Sequence, residues 1–140
     1  MTKDIKTVQN EIVESFHELD DWLDRYDLLV SLGRELPTFP DDDRNDENAI
    51  SGCQSNVWIK MHIIDGDMVI AADSDAAITK GILALLIGVL NHRSPKEVSD
   101  SDLFFISETG LSSNLSPSRS DGLMIILRTI KDFARSHDEN

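Results

Sequence analysis

Apolar residues recur at three- and four-residue spacing over the first part of the chain. Val8, Ile12, Phe16 and Leu19 form one stripe and predict a helix. Trp22, Leu23, Tyr26, Leu29, Val30 and Leu32 predict a second, ending near Gly33, before Pro37 and Pro40 break the chain. The period then changes to two. Val57, Ile59, Met61 and Ile63 alternate with Trp58, Lys60 and His62, the pattern of a half-buried strand. Asp65-Gly66 is a hairpin turn, and Met68–Ala72 is the returning strand. Ile50 marks a further short strand ahead of the hairpin.

Asp73 or Ser74 is expected to cap the next helix, about Asp75–Asn91, whose centre Ile82–Leu90 is apolar on nearly every face. Such a helix is buried on several sides and forms the heart of the core. Ser94-Pro95-Lys96-Glu97 reads as a capping box with proline at the first helical position. Leu103, Phe104 and Ile106 predict a short helix closed by Gly110. Ser116-Pro117 or Ser118 opens a last one, with Leu123, Ile126, Leu127, Ile130, Phe133 and Ala134 on its apolar face. The expected class is α+β, a small antiparallel β-sheet with packed helices, in one domain over residues 1–140.

The 140 residues are 40% hydrophobic, enough for one core. Acidic residues number 26 against 13 basic, a formal net charge of -13. That surface repels phosphate backbones and anionic membranes, so neither nucleic acid nor membrane is an expected partner. The longest apolar run, Gly81–Leu90, is far shorter than the roughly 20 residues of a membrane helix. Met1–Lys6 lacks the apolar stretch of a signal peptide. The acidic run Asp41–Asn48 reads as a solvated loop, since it lacks the alternating ligands, glycine and distal glutamate of a calcium loop. His17, His62, His92 and His137 are scattered over different elements without metal-ligand spacing, so no metal or other cofactor is expected. Neither a phosphate-binding glycine loop nor a Gly-x-Ser-x-Gly elbow is present.

One cysteine remains as candidate chemistry. Cys53 lies in Ile50-Ser51-Gly52-Cys53-Gln54-Ser55-Asn56, a small polar loop just before the strand. Structural cysteines usually sit within apolar segments. A lone thiol cannot form an internal disulfide, which suits a reducing cytoplasm. It can attack a persulfide by the rules of thiol–disulfide exchange, and no second thiol in the chain can resolve the product. A thiolate needs a favourable electrostatic setting. The acidic loop opposes ionisation if it comes near. Arg119, at the start of the last helix, is the best local cation to offset it, or else a surface salt-bridge former. The rival chemistry is a Cys–His hydrolase using His62, nine positions along from Cys53.

Gly52-Cys53-Gln54-Ser55-Asn56-Val57-Trp58 resembles the cysteine-loop motif of the SufE family of sulfur acceptors, and Leu115–Leu123, with Ser116-Pro117-Ser118-Arg119-Ser120, resembles its second signature. Asp21-Trp22, Arg25-Tyr26, Leu32–Pro37 and Asp73–Gly81 are similar to further family blocks, in the same order, so that the likeness runs from about Phe16 to Arg135. Asp121 stands where an uncharged polar residue is more usual, and Leu90–Pro95 lacks the glycine expected before its turn. The resemblance implies a SufE/IscU-like fold. It implies that Cys53 takes a sulfane sulfur from the persulfide of a pyridoxal-phosphate (PLP)-dependent cysteine desulfurase, SufS-like or CsdA-like, stimulating it, and passes the sulfur to a SufBCD-like Fe–S scaffold. A CsdE-type carrier would feed another acceptor. Arg119 then has a supporting role, and Gly52, Gln54 and Ser55 shape the loop.

Overall fold

The computed structural model describes residues 3–53 and 55–138. Two strands and seven helices follow one another in these residues. They are α1 (Ile5–His17), α2 (Trp22–Arg34), a 3-10 turn at Asp41–Asp43, β1 (Val57–Ile64), β2 (Asp67–Ser74), α3 (Ala77–Leu90), α4 (Pro95–Asp100), α5 (Phe105–Glu108), α6 (Leu111–Asn114) and α7 (Pro117–His137). The α+β class expected from the pattern is the one found. No helix among the described residues is long and apolar enough to cross a membrane.

Four of the seven helices begin where a side chain satisfies a first free N–H group. Asp4 accepts from the Thr7 amide, Asp21 from that of Leu23, and Ser116 from that of Arg119 with Pro117 following it. Ser94 and Glu97 form the full capping box of α4. Gly110, at φ +84°, turns the chain between α5 and α6. The four-residue helix α6 has no counterpart in the periodicity, being too short to show a period.

β1 and β2 pair antiparallel from Val57↔Ser74 to Ile64↔Asp67. Asp65 and Gly66 carry φ of +53° and +85°, the mirror-image turn that fits the right-handed strand twist. Residues 48–50 lie against the outer edge of β1, where the Ile50 amide donates to the Val57 carbonyl and the Ile59 amide to that of Asn48, both at 2.9 Å. The short strand expected at Ile50 is thus an isolated bridge, Ala49 to Trp58.

One expectation is corrected. Asp73 and Ser74 do not cap α3; they are the end of β2, and Ala76 precedes the helix with no side-chain cap. Asp73 instead receives Arg44 at 2.7 Å and Lys80 at 3.5 Å. Burial pushes its carboxyl up, but hydrogen bonds from Arg44 and the Ser74 amide, with the Lys80 charge, hold it below its ordinary value. The acidic loop is thereby folded onto the hairpin, with Asp41 also paired to Arg44 and Asp43 3.2 Å from Lys60. The second helix, α2, ends at Arg34, one residue past Gly33 and so near it as expected.

The reason Gly33 is inside the helix is packing. α3 is buried along Ile82, Leu83, Leu85, Leu86, Val89 and Leu90, and α2 crosses it at backbone distance. A Cβ at Gly81 would fall 2.2 Å from the Leu29 carbonyl oxygen, and one at Gly33 2.8 Å from the Gly81 nitrogen. On another side of the molecule, Lys131 of α7 donates to the carbonyls of Val98, Ser99 and Ser101, tying the end of α4 to α7.

Gly81→Ala forces α2 away from α3 and should cost about 1–3 kcal/mol, lowering Tm by several degrees. Gly88→Ala, at an exposed position of the same helix where a Cβ meets nothing within 4 Å, should stabilise by about 0.5–1 kcal/mol. Thermal unfolding followed by circular dichroism checks both signs.

Candidate functional site

The segment between Ile50 and Val57 is held at its two ends. Ile50 is fixed by its bond to Val57. Asn56 is fixed more firmly: its amide and side-chain nitrogen donate to Asp75 at 3.0 and 2.8 Å, and its carbonyl accepts from the Ser74 hydroxyl at 2.7 Å. Between these anchors the loop leans on α7. Gly52 has φ +92°, a conformation that favours glycine, and a Cβ there would lie 2.8 Å from Cδ1 at the movable end of Ile125. Cys53 follows, half-buried, with its thiol directed at the Gly122 carbonyl at 3.8 Å, a weak S–H donor contact. Gly122 leaves the helix bare here; a Cβ on it would be 3.5 Å from the sulfur. Ser55 turns its hydroxyl to that of Thr79 on α3, 3.4 Å away. Gln54 lies outside the described residues.

Beside the sulfur is a cavity of about 20 Å³, room for a single group of about the size of water. Val57, Ile82, Leu123 and Ile126 make its apolar lining, and Ser55, Thr79, Ser118 and Arg119 contribute the polar part. Thr79 is the third residue of α3, and Ser118 and Arg119 are the second and third of α7. Two helix N-termini, each the positive end of its dipole, therefore converge on the cavity.

The thiol itself is not activated in this conformation. Burial pushes its pKa above the ordinary value, because the anion loses its hydration, and no neighbouring charge offsets the loss. The acidic loop, engaged with Arg44 and Lys60, is not what opposes ionisation. Arg119 reaches the cavity, yet its side chain is exposed and makes no ion pair with a described residue. It lies where the sequence places it without acting on the thiol at rest.

Cys53, Ser55 and Arg119 thus meet at the cavity, with Gly52 beside Cys53 in the loop. His62 does not: it is exposed on β1 opposite Val69, and the cavity is lined by no histidine among the described residues. A Cys–His pair is not assembled. Thr79 and Gly122 were not singled out from sequence. A signal for Gly122 exists, since it falls on the apolar stripe of α7 one turn before Ile126 and leaves a gap there. For Thr79 no local signal exists.

These features accord with the comparisons. The domain described as SufE, Fe–S metabolism associated, matches residues 10–134. An uncharacterized SufE-like protein of Rhizobium etli is 36% identical over 132 residues, covering 90% of this chain and 88% of that protein. The solution structure of a hypothetical protein from Thermus thermophilus shares the fold at a TM-score of 0.75 with 21% identity, over 93% of this chain and 95% of the other. The fold, the cysteine loop and a family match over most of its length make this chain a member of the SufE family, whose domain is associated with Fe–S metabolism.

Proposed function

We propose that Cys53 is a sulfur acceptor. It takes the outer sulfur of a persulfide on a PLP-dependent cysteine desulfurase of SufS or CsdA type. It then passes that sulfur to a SufBCD-like scaffold for Fe–S cluster assembly, and its docking stimulates the desulfurase. The whole chain, residues 1–140, acts as one domain in a reducing cytoplasm. The observation that carries this reading is the sole thiol of the chain, on a loop tied at its ends, beside a cavity with room for about one atom.

The chemistry needs no group beyond the two sulfurs. The Cys53 thiolate attacks the outer sulfur of the donor, R–S–SH. A bond forms between the Cys53 sulfur and that outer sulfur. The donor S–S bond breaks, its electron pair stays on the inner sulfur, and the donor leaves as R–S⁻. Cys53–S–SH results, with no net oxidation. Attack in line requires access that the resting loop does not give, so docking draws Ser51–Ser55 away from α7. Leaving the cavity also restores hydration and lowers the thiol pKa toward its ordinary value. Return of the loop shields the product from reductants. Gly52 permits both positions, Gln54 and Ser55 shape the loop, and the Arg119 guanidinium at the cavity attracts the anionic sulfur during transfer.

Incubation with a desulfurase and cysteine should add the mass of one sulfur to the native chain and none to Cys53→Ser. No gain in the native protein overturns the reading. Arg119→Ala should slow sulfur uptake on the order of tenfold while Tm stays within a degree or two, as for most surface substitutions. Iodoacetamide alkylation of the native thiol should rise with pH through an inflection above that of free cysteine. Asn56→Ala, which releases the loop anchor, should move the inflection down and speed alkylation several-fold at neutral pH.

A further inference from the structure

The sequence block of Trp22, Arg25 and Tyr26 has no part in the site described so far. At three- and four-residue spacing these side chains share one face of α2. The Arg25 guanidinium stands over the Trp22 ring at 5.1 Å, and the Tyr26 ring lies 5.4 Å from it. This face supports the chain that leads from α5 to α7. Arg25 donates to the Thr109 carbonyl at 3.2 Å. Trp22 packs on Gly110, where a Cβ would lie 2.9 Å from its ring. The Tyr26 hydroxyl donates to the Asn114 carbonyl at 2.5 Å.

The stretch that Tyr26 reaches is otherwise lightly held. From Ser112 to Asp121 only Leu115 and Ser120 are half-buried, and every other residue is exposed. Among the described residues no other hydrogen bond joins this stretch to the chain before α5. The junction itself is stiff. Ser116 accepts from the Arg119 amide at 3.3 Å, and Pro117 has a fixed φ. A displacement at Asn114 is therefore carried on to Arg119. Arg119 is the one charged side chain lining the cavity beside Cys53 among the described residues, and no ion pair with a described residue holds it there. Its place is set by its backbone.

We propose that Tyr26 is a positioning residue that acts through Arg119: its hydroxyl fixes the junction of α6 and α7 and so holds the guanidinium beside Cys53. The consequence for sulfur transfer rests on the reading of Cys53 as a carrier; the placement of Arg119 does not. Tyr26→Phe keeps the ring against Trp22 and removes only the hydroxyl. Asn114 is exposed, so water takes the freed carbonyl and the fold survives. The guanidinium then wanders, and an anion approaching Cys53 loses its attraction.

The test compares alkylation of Cys53 by anionic iodoacetate and neutral iodoacetamide at low ionic strength, where the charge is least screened. The ratio of the two rates reports positive charge at the thiol. A change in access moves both rates together and leaves the ratio alone. Arg119→Ala should lower the ratio several-fold. Tyr26→Phe should lower it by a large part of that factor, with Tm down by no more than a few degrees. The double variant should match Arg119→Ala, because the two residues act as one unit. Equal ratios for the native chain and Tyr26→Phe overturn the assignment. So does a ratio that Arg119→Ala leaves unchanged, or a double variant in which the two effects multiply. If the native chain gains no sulfur from a desulfurase, the carrier reading fails, and the alkylation ratios still decide the role of Tyr26.

Discussion

The structure depends on the burial of α3. A helix apolar around most of its circumference must be covered on several sides, and each side is covered by a different means. α2 crosses it at backbone distance, which only the missing side chains of Gly81 and Gly33 allow. The hairpin lies against another side, with Met68, Ile70 and Ala72 turned inward from β2. The side facing α7 is different. There Ile82 meets Leu123 and Ile126 across a small cavity, and the Cys53 loop closes the space. The environment of the thiol is therefore a consequence of how the core is completed. Its walls are apolar because they are core, and its polar lining comes from the loop and from the first turns of two helices.

That origin sets the electrostatics. A chain with a net charge of -13 would be expected to surround any loop with negative potential. Several carboxylates of the acidic segment and the hairpin are instead committed elsewhere. Arg44 carries Asp41 and Asp73, and Lys60 faces Asp43, so the acidic segment is bound to the hairpin. What remains at the cavity is positive: Arg119 and two helix N-termini. The local charge at the cavity is thus opposite in sign to that of the molecule as a whole, although burial still keeps the Cys53 thiol protonated.

Much of the fold was legible because its signals are local. Caps at Ser94 and Ser116, the Asp65-Gly66 turn and the stripe of α7 each depend on residues a few positions apart. The misreading has a non-local cause. Asp73 resembles a cap until Arg44 reaches it from 29 residues away. The site divides in the same way. Gly52, Cys53 and Ser55 are neighbours in the chain, and their loop was readable from composition. Thr79 and Gly122 reach the cavity only through the tertiary fold, across separations of 24 residues from Ser55 and 69 from Cys53. No periodicity encodes such a contact.

A nucleophile kept protonated by burial is at first sight a poor design for attack on sulfur. The difficulty disappears when the two halves of a carrier's task are separated. Uptake needs a hydrated thiolate, and the loop can supply one only by leaving α7. Carriage needs the reverse, because a persulfide exposed to cellular thiols is reduced by the same exchange that created it. Burial keeps the resting thiol protonated through desolvation. In the proposed carrier, uptake and release of the sulfur therefore both depend on a partner that displaces the loop.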